Sequence, residues 1–364
     1  MSRGTTLTLR PAALAANARR ARALAGEARV YAMVKANAYG HGTALALSAF
    51  SPHVDGFGVA VLDEARTLRG LGCTAPVMLL EGPFDANEVS EAGALGLELV
   101  VHSTWQLALL AERDSTTPLV VWLKCDTGMH RIGLPPAECA AALSRLSMLP
   151  GVTIAGVMTH FACADERDDP LSASQLSSLK TLATRHDLPF TAANSAALCR
   201  YPDSRGALVR PGIMLYGGSP QAGQSLAEHG LAVTQRLAAR LIAINDIPAG
   251  DSVGYGASWT AQRPSRIGVV AIGYGDGYPR HAPAGTPVAV GAARTGLAGR
   301  VSMDMLTIDL TDLPAVQVGD EVELWGDTVS VDDVAAACGT ISYELFCQLT
   351  ARVERVVERP DGTA

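Results

Sequence analysis

The sequence predicts an α/β protein: a (β/α)8 TIM-like barrel followed by a mostly antiparallel β domain. Three observations carry that expectation. Apolar runs of buried-strand length alternate with helical patterns from Val30 to Leu215, and strands alternating with helices pair in parallel through helical crossovers. Eight such runs suit a closed barrel better than an open sheet. From about Gly230 the helical periodicity fades into short alternating runs broken by Gly and Pro, the texture of a β domain.

Each element has a local reason. Thr6 to Arg10 alternates like a short strand, and Pro11 then opens an amphipathic helix over Ala12–Gly26 with Arg19, Arg20 and Arg22 on its solvated face. The eight barrel strands are expected at Val30–Val34, Phe57–Val61, Pro76–Leu80, Leu97–Val101, Leu119–Leu123, Thr153–Met158, Phe190–Ala193 and Leu208–Leu215. Helical patterns lie between them at Leu62–Leu71, Ser103–Glu112, Pro136–Leu146 and Ala173–His186. The GGSPQAGQ stretch, Gly217–Gln224, is a natural linker. The barrel is expected over residues 1–229 and the β domain over 230–364, with the first ten or so residues packing as a strand on the second domain. The β domain is expected to hold strands at Val233–Ile244, Arg266–Ile272, Pro287–Val290, Met305–Leu310 and Glu321–Leu324, with one late helix at Val331–Cys338.

Composition narrows the function. A chain of 364 residues with 48% hydrophobic and 18% charged residues is folded, and too long for one typical core. Its charge of −7 with scattered basic residues argues against nucleic acid or an anionic membrane as a partner. The seven cysteines include no CxxC pair and no zinc spacing, so no metal site and no full disulfide framework are expected. The N-terminus lacks a continuous apolar segment and reads as mature cytoplasmic sequence, and no stretch is long enough to span a membrane.

The chemistry gathers where barrel strands end. Residues just after the strands crowd one face of a barrel, where active sites are built. Strand one delivers Lys35 and Tyr39, strand five Lys124, Asp126, Thr127, Gly128 and Arg131, strand six His160, strand seven Asn194 and Ser195, and strand eight Arg210 and Gly212. An ammonium partly desolvated at a strand end is easier to deprotonate, and so more nucleophilic. The plainer alternative is a lysine that snorkels to water. Likewise His160 could be a hydrogen-bonded core residue, and Lys124 could simply pair with Asp126. Together these groups make a cation-rich mouth suited to an anionic ligand. Ser195 and the backbone after Pro211 could donate to a phosphate. A lysine beside a phosphate cradle is what an aldehyde cofactor such as pyridoxal phosphate requires. A barrel aldolase, whose lysine attacks the substrate carbonyl without a cofactor, competes at this level.

Nine segments in order then carry a resemblance: VKANAYGHG (Val34–Gly42), LKCDTGMHRIG (Leu123–Gly133), MTHFACAD (Met158–Asp165), ANSAA (Ala193–Ala197), VRPGIMLYG (Val209–Gly217), VGYGASW (Val253–Trp259), IGYGDGYPR (Ile272–Arg280), GRVSMDM (Gly299–Met305) and ISYE (Ile341–Glu344). The sequence resembles the alanine racemases, pyridoxal 5'-phosphate enzymes with a barrel and a β domain. The resemblance implies interconversion of L- and D-alanine, for D-alanine supply or for catabolism, in a homodimer with shared active sites. It implies that Lys35 anchors the cofactor and serves as base on one face of the substrate Cα. Tyr255, from the partner subunit, would serve on the other. Tyr39, Ser195, Gly212, Ile213 and Tyr343 match phosphate-holding positions, with Asn194 beside them. Arg210 matches the residue facing the pyridine nitrogen, and His160 the residue linking Arg210 to Tyr255. Arg131 matches a contact to the ring oxygen and the substrate carboxylate, Met303 a substrate contact through its N–H, and Tyr274 and Asp304 supporting positions. Lys124 matches a lysine carbamylated in many members.

The departures are small: Ser302 stands where some members have cysteine, and Gly275 where alanine is common. Alternatives drawn from other functions fit less well. A racemase of serine or of broader small amino acids should have a roomier gate than Tyr255 and Tyr343 allow. A barrel decarboxylase of the same cofactor class should carry a glycine triplet for its phosphate. A non-catalytic pyridoxal phosphate carrier should lack the second domain, which holds four of the nine segments.

Overall fold

A computed structural model describes residues 3–113, 117–166 and 169–359. The chain divides into two compact units, one of residues 14–232 and the other of residues 1–13 with 233–364.

The first unit holds eight parallel strands: β1 (Arg29–Met33), β2 (Gly56–Val59), β3 (Val77–Leu79), β4 (Leu97–Val101), β5 (Leu119–Lys124), β6 (Val152–Met158), β7 (Phe190–Thr191) and β8 (Leu208–Val209). They pair in the order β8-β1-β2-β3-β4-β5-β6-β7. No regular ladder joins β7 to β8. Single bonds close that seam instead: Ala207 N–H to Phe190 O at 2.8 Å, Arg210 N–H to Ala193 O at 2.9 Å, and the Thr191 hydroxyl to Leu208 O at 2.7 Å. The strands are near-continuous apolar runs because both faces are covered; Val30, Tyr31, Ala32, Met78, Leu99 and Val121 are all buried. Inside the ring, Glu98 accepts from the Tyr31 hydroxyl at 2.6 Å and from the Trp122 indole at 2.8 Å, so the buried polar atoms there are satisfied.

Two expectations need correction in this unit. The run Leu208–Leu215 is not one strand. It ends at Val209, and Ile213–Tyr216 winds into a 3-10 turn after Pro211 and Gly212, because proline supplies no ladder N–H. The strand expected over Phe190–Ala193 stops at Thr191. The helices Thr43–Phe50, Ala86–Ala94 and Ser195–Arg200, which the sequence reading did not place, complete the alternation.

The second unit is organised on the 13-residue strand Gln235–Ile247. It pairs antiparallel with Thr6–Leu9, with Ser265–Val270 and with Glu321–Trp325. Thr6–Leu9 also pairs in parallel with Glu354–Val357. A small hairpin, Ser252–Val253 against Trp259–Thr260, carries Tyr255 at its tip. Two late helices are present rather than one, Val331–Ala337 and Ser342–Gln348. The second holds Tyr343, and its seven residues are too few to show a helical period. No helix among the described residues is long and apolar enough to cross a membrane. No group of three or more His, Cys, Asp or Glu among them could hold a metal ion.

Candidate active site

The mouth of the barrel begins at the end of β1. Lys35 follows Val34, and the next four residues are left-handed: Ala36 (φ 51°, ψ 51°), Asn37 (φ 52°, ψ 48°), Ala38 (φ 54°, ψ 53°) and Tyr39 (φ 51°). A left-handed residue other than glycine costs about 1–2 kcal/mol, so this run is strained and must be held by its surroundings. Gly40 (φ 76°) and Gly42 (φ 96°) then leave the run. Its near end is pinned by the Ala36 N–H donating to Glu64 at 2.6 Å, and its far end by the Thr43 N–H donating to the Asn37 side chain at 3.0 Å. The turn swings Tyr39 inward, stacked on Tyr216 with ring centroids 4.5 Å apart, and leaves Lys35 exposed at the rim. The sequence led us to expect a partly desolvated Lys35. In this chain the desolvated lysine is Lys124.

Lys124 ends β5 and is buried. Burial, then the charges of Arg210, Arg131 and Lys35, push its ammonium down to about 7, with Asp126 pulling the other way. Asp126 does not pair with it. That carboxylate caps its own loop, accepting the N–H groups of Gly128, Met129 and His130 at 3.0, 3.1 and 3.0 Å and facing the His130 ring at 3.1 Å. Burial opposes its ionisation, but these donors outweigh it and hold the Asp126 carboxyl below its usual range. The loop is short and tight. A Cβ on Gly133 would lie 2.6 Å from the Asp126 amide, so only glycine fits at the end that presents Arg131.

The depressed lysine has a checkable consequence. Its folded pKa lies below its unfolded one, so between about pH 7 and about pH 10 the unfolded chain binds the extra proton and stability rises with pH. The Tm of the ligand-free protein is expected to climb more steeply from about pH 7 to about pH 9 than that of Lys124→Met. Equal slopes would place the titration elsewhere.

Arg210 follows β8 and is buried without a carboxylate. Its guanidinium donates to the Thr159 carbonyl at 2.7 Å, the Ala192 carbonyl at 3.2 Å and the Thr191 hydroxyl. Burial lowers it to about 10, so it stays charged at neutral pH. His160, at the end of β6, is held well below its usual value by burial and by the charges of Arg210, Lys124, Arg131 and Lys35, and so is neutral. The expected link from His160 to Arg210 is electrostatic; among the described residues no direct hydrogen bond joins them. Gln175, buried, fixes the backbone here through the His160 carbonyl at 3.0 Å and the Ala162 N–H at 3.1 Å.

Beside these cations lies a cradle of small polar groups. The Ser195 oxygen accepts the Gly212 N–H at 2.8 Å and the Met214 N–H at 3.4 Å, so its own proton remains to donate outward. The Gly212 amide, expected to face a phosphate, is therefore spent on Ser195. What Gly212 contributes is space: a Cβ there would come within 2.5 Å of the Tyr39 hydroxyl. Ile213 is buried at the start of the 3-10 turn. Asn194 caps the following helix, accepting the Ala197 N–H at 2.9 Å. Four cations with one committed carboxylate, next to a free hydroxyl proton and a side-chain-free backbone, fit a compact ligand of several negative charges. A groove of about 860 Å³ lies between the helix Leu171–Arg185 and Arg200–Asp203, and none of the mouth's cations line it.

In the second unit the matched residues are exposed. Tyr255 is 70% accessible in a turn where Gly254, Gly256 and Ala257 all have positive φ. Arg300, to which the sequence reading gave no role, lies against that turn, 3.1 Å from where a Gly256 Cβ would be. Met303 and Tyr274 sit together, the Gly275 N–H bonding to Met303 O at 2.8 Å and the Tyr274 N–H to Ser302 O at 3.0 Å. Arg352 holds the Asp304 carboxylate at 2.7 Å. Tyr343, on its separate helix, is also exposed.

Known proteins share this chain's fold over nearly its whole length. The family model described as alanine racemase, N-terminal domain, matches residues 9–220, and that described as alanine racemase, C-terminal domain, matches residues 234–357. A relative described as alanine racemase, from Alcanivorax borkumensis, is 59% identical, covering 98% of this chain and 99% of its own. One described as a biosynthetic alanine racemase, from Pseudomonas aeruginosa, is 51% identical over 92% of this chain and 94% of its own. The crystal structure of biosynthetic alanine racemase from Pseudomonas aeruginosa matches with a TM-score of 0.94 at 48% identity, over 98% of this chain and 100% of that one. The structure of alanine racemase from Acinetobacter baumannii matches at 0.92 and 40%, over 98% and 99%. With one family model on each unit and near-full-length relatives behind them, this chain belongs to the alanine racemase family.

Proposed function

We infer that this chain is an alanine racemase that interconverts L- and D-alanine with pyridoxal 5'-phosphate held at the barrel mouth. One observation carries the reading: Lys35, Arg131 and Arg210 all act electrostatically on buried Lys124, the Asp126 carboxylate near it is committed to its own loop, and the Tyr39, Ser195 and Gly212 cradle lies beside them. When bound, the cofactor supplies an aldehyde for an amine to capture and a ring that draws electron density from the substrate Cα.

The chain's own residues do the rest. Lys35 anchors the cofactor. Tyr39, Ser195 and the Ile213 backbone hold its phosphate, with Tyr343, in the space that Gly212 leaves beside Tyr39, while Asn194 fixes the turn beside Ser195. Arg210 would face the ring nitrogen and keep its proton, since guanidinium does not deprotonate at working pH. A ring left unprotonated would draw electrons weakly, which would favour simple return of the proton. Arg131 meets the substrate carboxylate, helped by the Met303 N–H, with Tyr274 and Asp304 in support. Lys124 would repel Arg131 as a cation. Near pH 7 part of it is neutral, and its amine could then add carbon dioxide, forming the N–C bond and losing a proton, to give a carbamate anion that would hold Arg131.

Racemisation needs a base on each face of Cα. The Lys35 Nζ moves the proton on one face and the Tyr255 Oη on the other, Tyr255 being supplied by the second copy in a homodimer. The exposure of Tyr255 supports this, since its hairpin gives it no cover of its own. Seven free cysteines suit a reducing compartment, the cytoplasm.

The test is a racemisation assay over a panel of L-amino acids, with and without added pyridoxal phosphate. Alanine is expected to turn over fastest, and only with cofactor. Faster turnover of serine would reassign the substrate, and activity without any cofactor would overturn the reading.

A further inference from the structure

The left-handed run after Lys35 needs a brace, and one side chain from outside it supplies one at the lysine end. Glu64 stands in the first turn of the helix Leu62–Gly70, after β2. One of its carboxylate oxygens accepts the Ala36 N–H at 2.6 Å. The other accepts the Ala60 N–H at 2.8 Å and the Val61 N–H at 3.4 Å. The carboxylate therefore ties the residue after Lys35 to the loop after β2, using both oxygens on backbone donors.

Ala36, Asn37, Ala38 and Tyr39 all occupy a backbone region that L-residues avoid. Such a run persists only where the surroundings over-determine it. The bonds within the run, Ala38 N–H to Val34 O and Gly40 N–H to Ala36 O, both at 3.0 Å, close its turns but do not tie it to another element. Asn37 and Thr43 secure the far end, and Tyr39 stacks on Tyr216. At the near end the Val34 N–H bonds to Gly58 O at 2.9 Å just before Lys35, and beyond the lysine the side-chain tie is Glu64.

We propose that Glu64 is a positioning residue for Lys35: its carboxylate holds the strained turn so that the lysine amine and the Tyr39 hydroxyl keep a fixed separation at the barrel mouth. The inference rests on the reading of Lys35 and Tyr39 as holders of one cofactor. A negative acceptor is required because both oxygens face N–H groups. Glutamine in its place would keep one acceptor and turn an NH2 toward a backbone donor, breaking one bond of the brace.

The test compares the wild type with Glu64→Gln, Glu64→Gln combined with Ala36→Gly, and Asp85→Ala. Asp85 caps the helix Ala86–Ala94 by accepting the Glu88 N–H at 2.9 Å, so its loss reports on a lost cap remote from the turn. Three quantities are read: the affinity of the cofactor-free protein for pyridoxal phosphate, kcat and KM for alanine, and Tm. Glu64→Gln is expected to weaken cofactor affinity about tenfold and lower kcat about tenfold or more, with KM changed less than about threefold. Glycine at position 36 takes positive φ without penalty, so Ala36→Gly is expected to recover at least about threefold of that loss. Asp85→Ala should lower Tm and leave affinity and kcat unchanged.

If Glu64→Gln lowers only Tm, as Asp85→Ala does, the carboxylate is an ordinary cap and the proposal falls. If glycine at 36 deepens the defect, strain is not what Glu64 opposes, and the proposal falls again. A wild-type protein that neither binds the cofactor nor racemises alanine would instead sink the reading of the site.

Discussion

Lys35→Ala is expected to abolish racemisation, with kcat at least about a thousandfold down, and to leave the purified protein without the absorbance of bound pyridoxal phosphate. The size of the effect follows from two losses at one position. On the proposed reading, the variant lacks both the amine that would anchor the cofactor and the base on one face of Cα. No neighbour can replace it. Lys124 is pushed down to about 7 but is buried at the end of β5 among like charges, while Lys35 is exposed on the rim. Absorbance and a racemisation assay check this together. A variant that keeps full activity would remove Lys35 from the chemistry.

Tyr255→Phe is expected to slow proton transfer on one face by about a hundredfold to ten-thousandfold, the usual worth of a general acid or base. The phenyl ring keeps the shape of the side chain and removes only the Oη. The defect is therefore one-sided. Solvent deuterium incorporation from L-alanine and from D-alanine should become unequal, because the lysine face still exchanges and the tyrosine face does not. Equal slowing in both directions, without isotopic asymmetry, would contradict two opposed bases. Because Tyr255 is assigned to the second copy, a fully active monomer would refute the shared site.

Much of this architecture was legible in the sequence, and the rest was hidden for physical reasons. Buried parallel strands are near-continuous apolar runs, so β1, β4 and β5 could be placed within a residue or two from hydrophobicity alone. The winding of Ile213–Tyr216 was not, since its apolar residues suit a strand as well as a 3-10 turn; Pro211 was the warning. Glycines at 40 and 42 marked a turn after Lys35, but nothing in Ala-Asn-Ala-Tyr announces four left-handed residues, because none of them is glycine. The neutral shell of Arg210 was equally hidden. Thr159 and Thr191 read as ordinary strand-end residues, and two of the three acceptors around the guanidinium are backbone carbonyls that carry no side-chain signal.

Exposure was the other blind spot. Position on a strand gave the right end of the barrel for Lys35 and Lys124 but not which of the two would be dry. That depends on packing: Lys124 is the last residue of its strand, and Lys35 already lies in the turn beyond β1. The difference matters for the central claim, because burial alone would single out Lys124 as the easily deprotonated amine, whereas access and the Tyr39 turn favour Lys35.

The direct measurement is borohydride reduction of the protein loaded with pyridoxal phosphate, followed by digestion and mass spectrometry of the lysine peptides. The pyridoxyl group is expected on the peptide containing Lys35, with Lys124 unlabelled. Label on Lys124, or on neither lysine, would contradict the site described here.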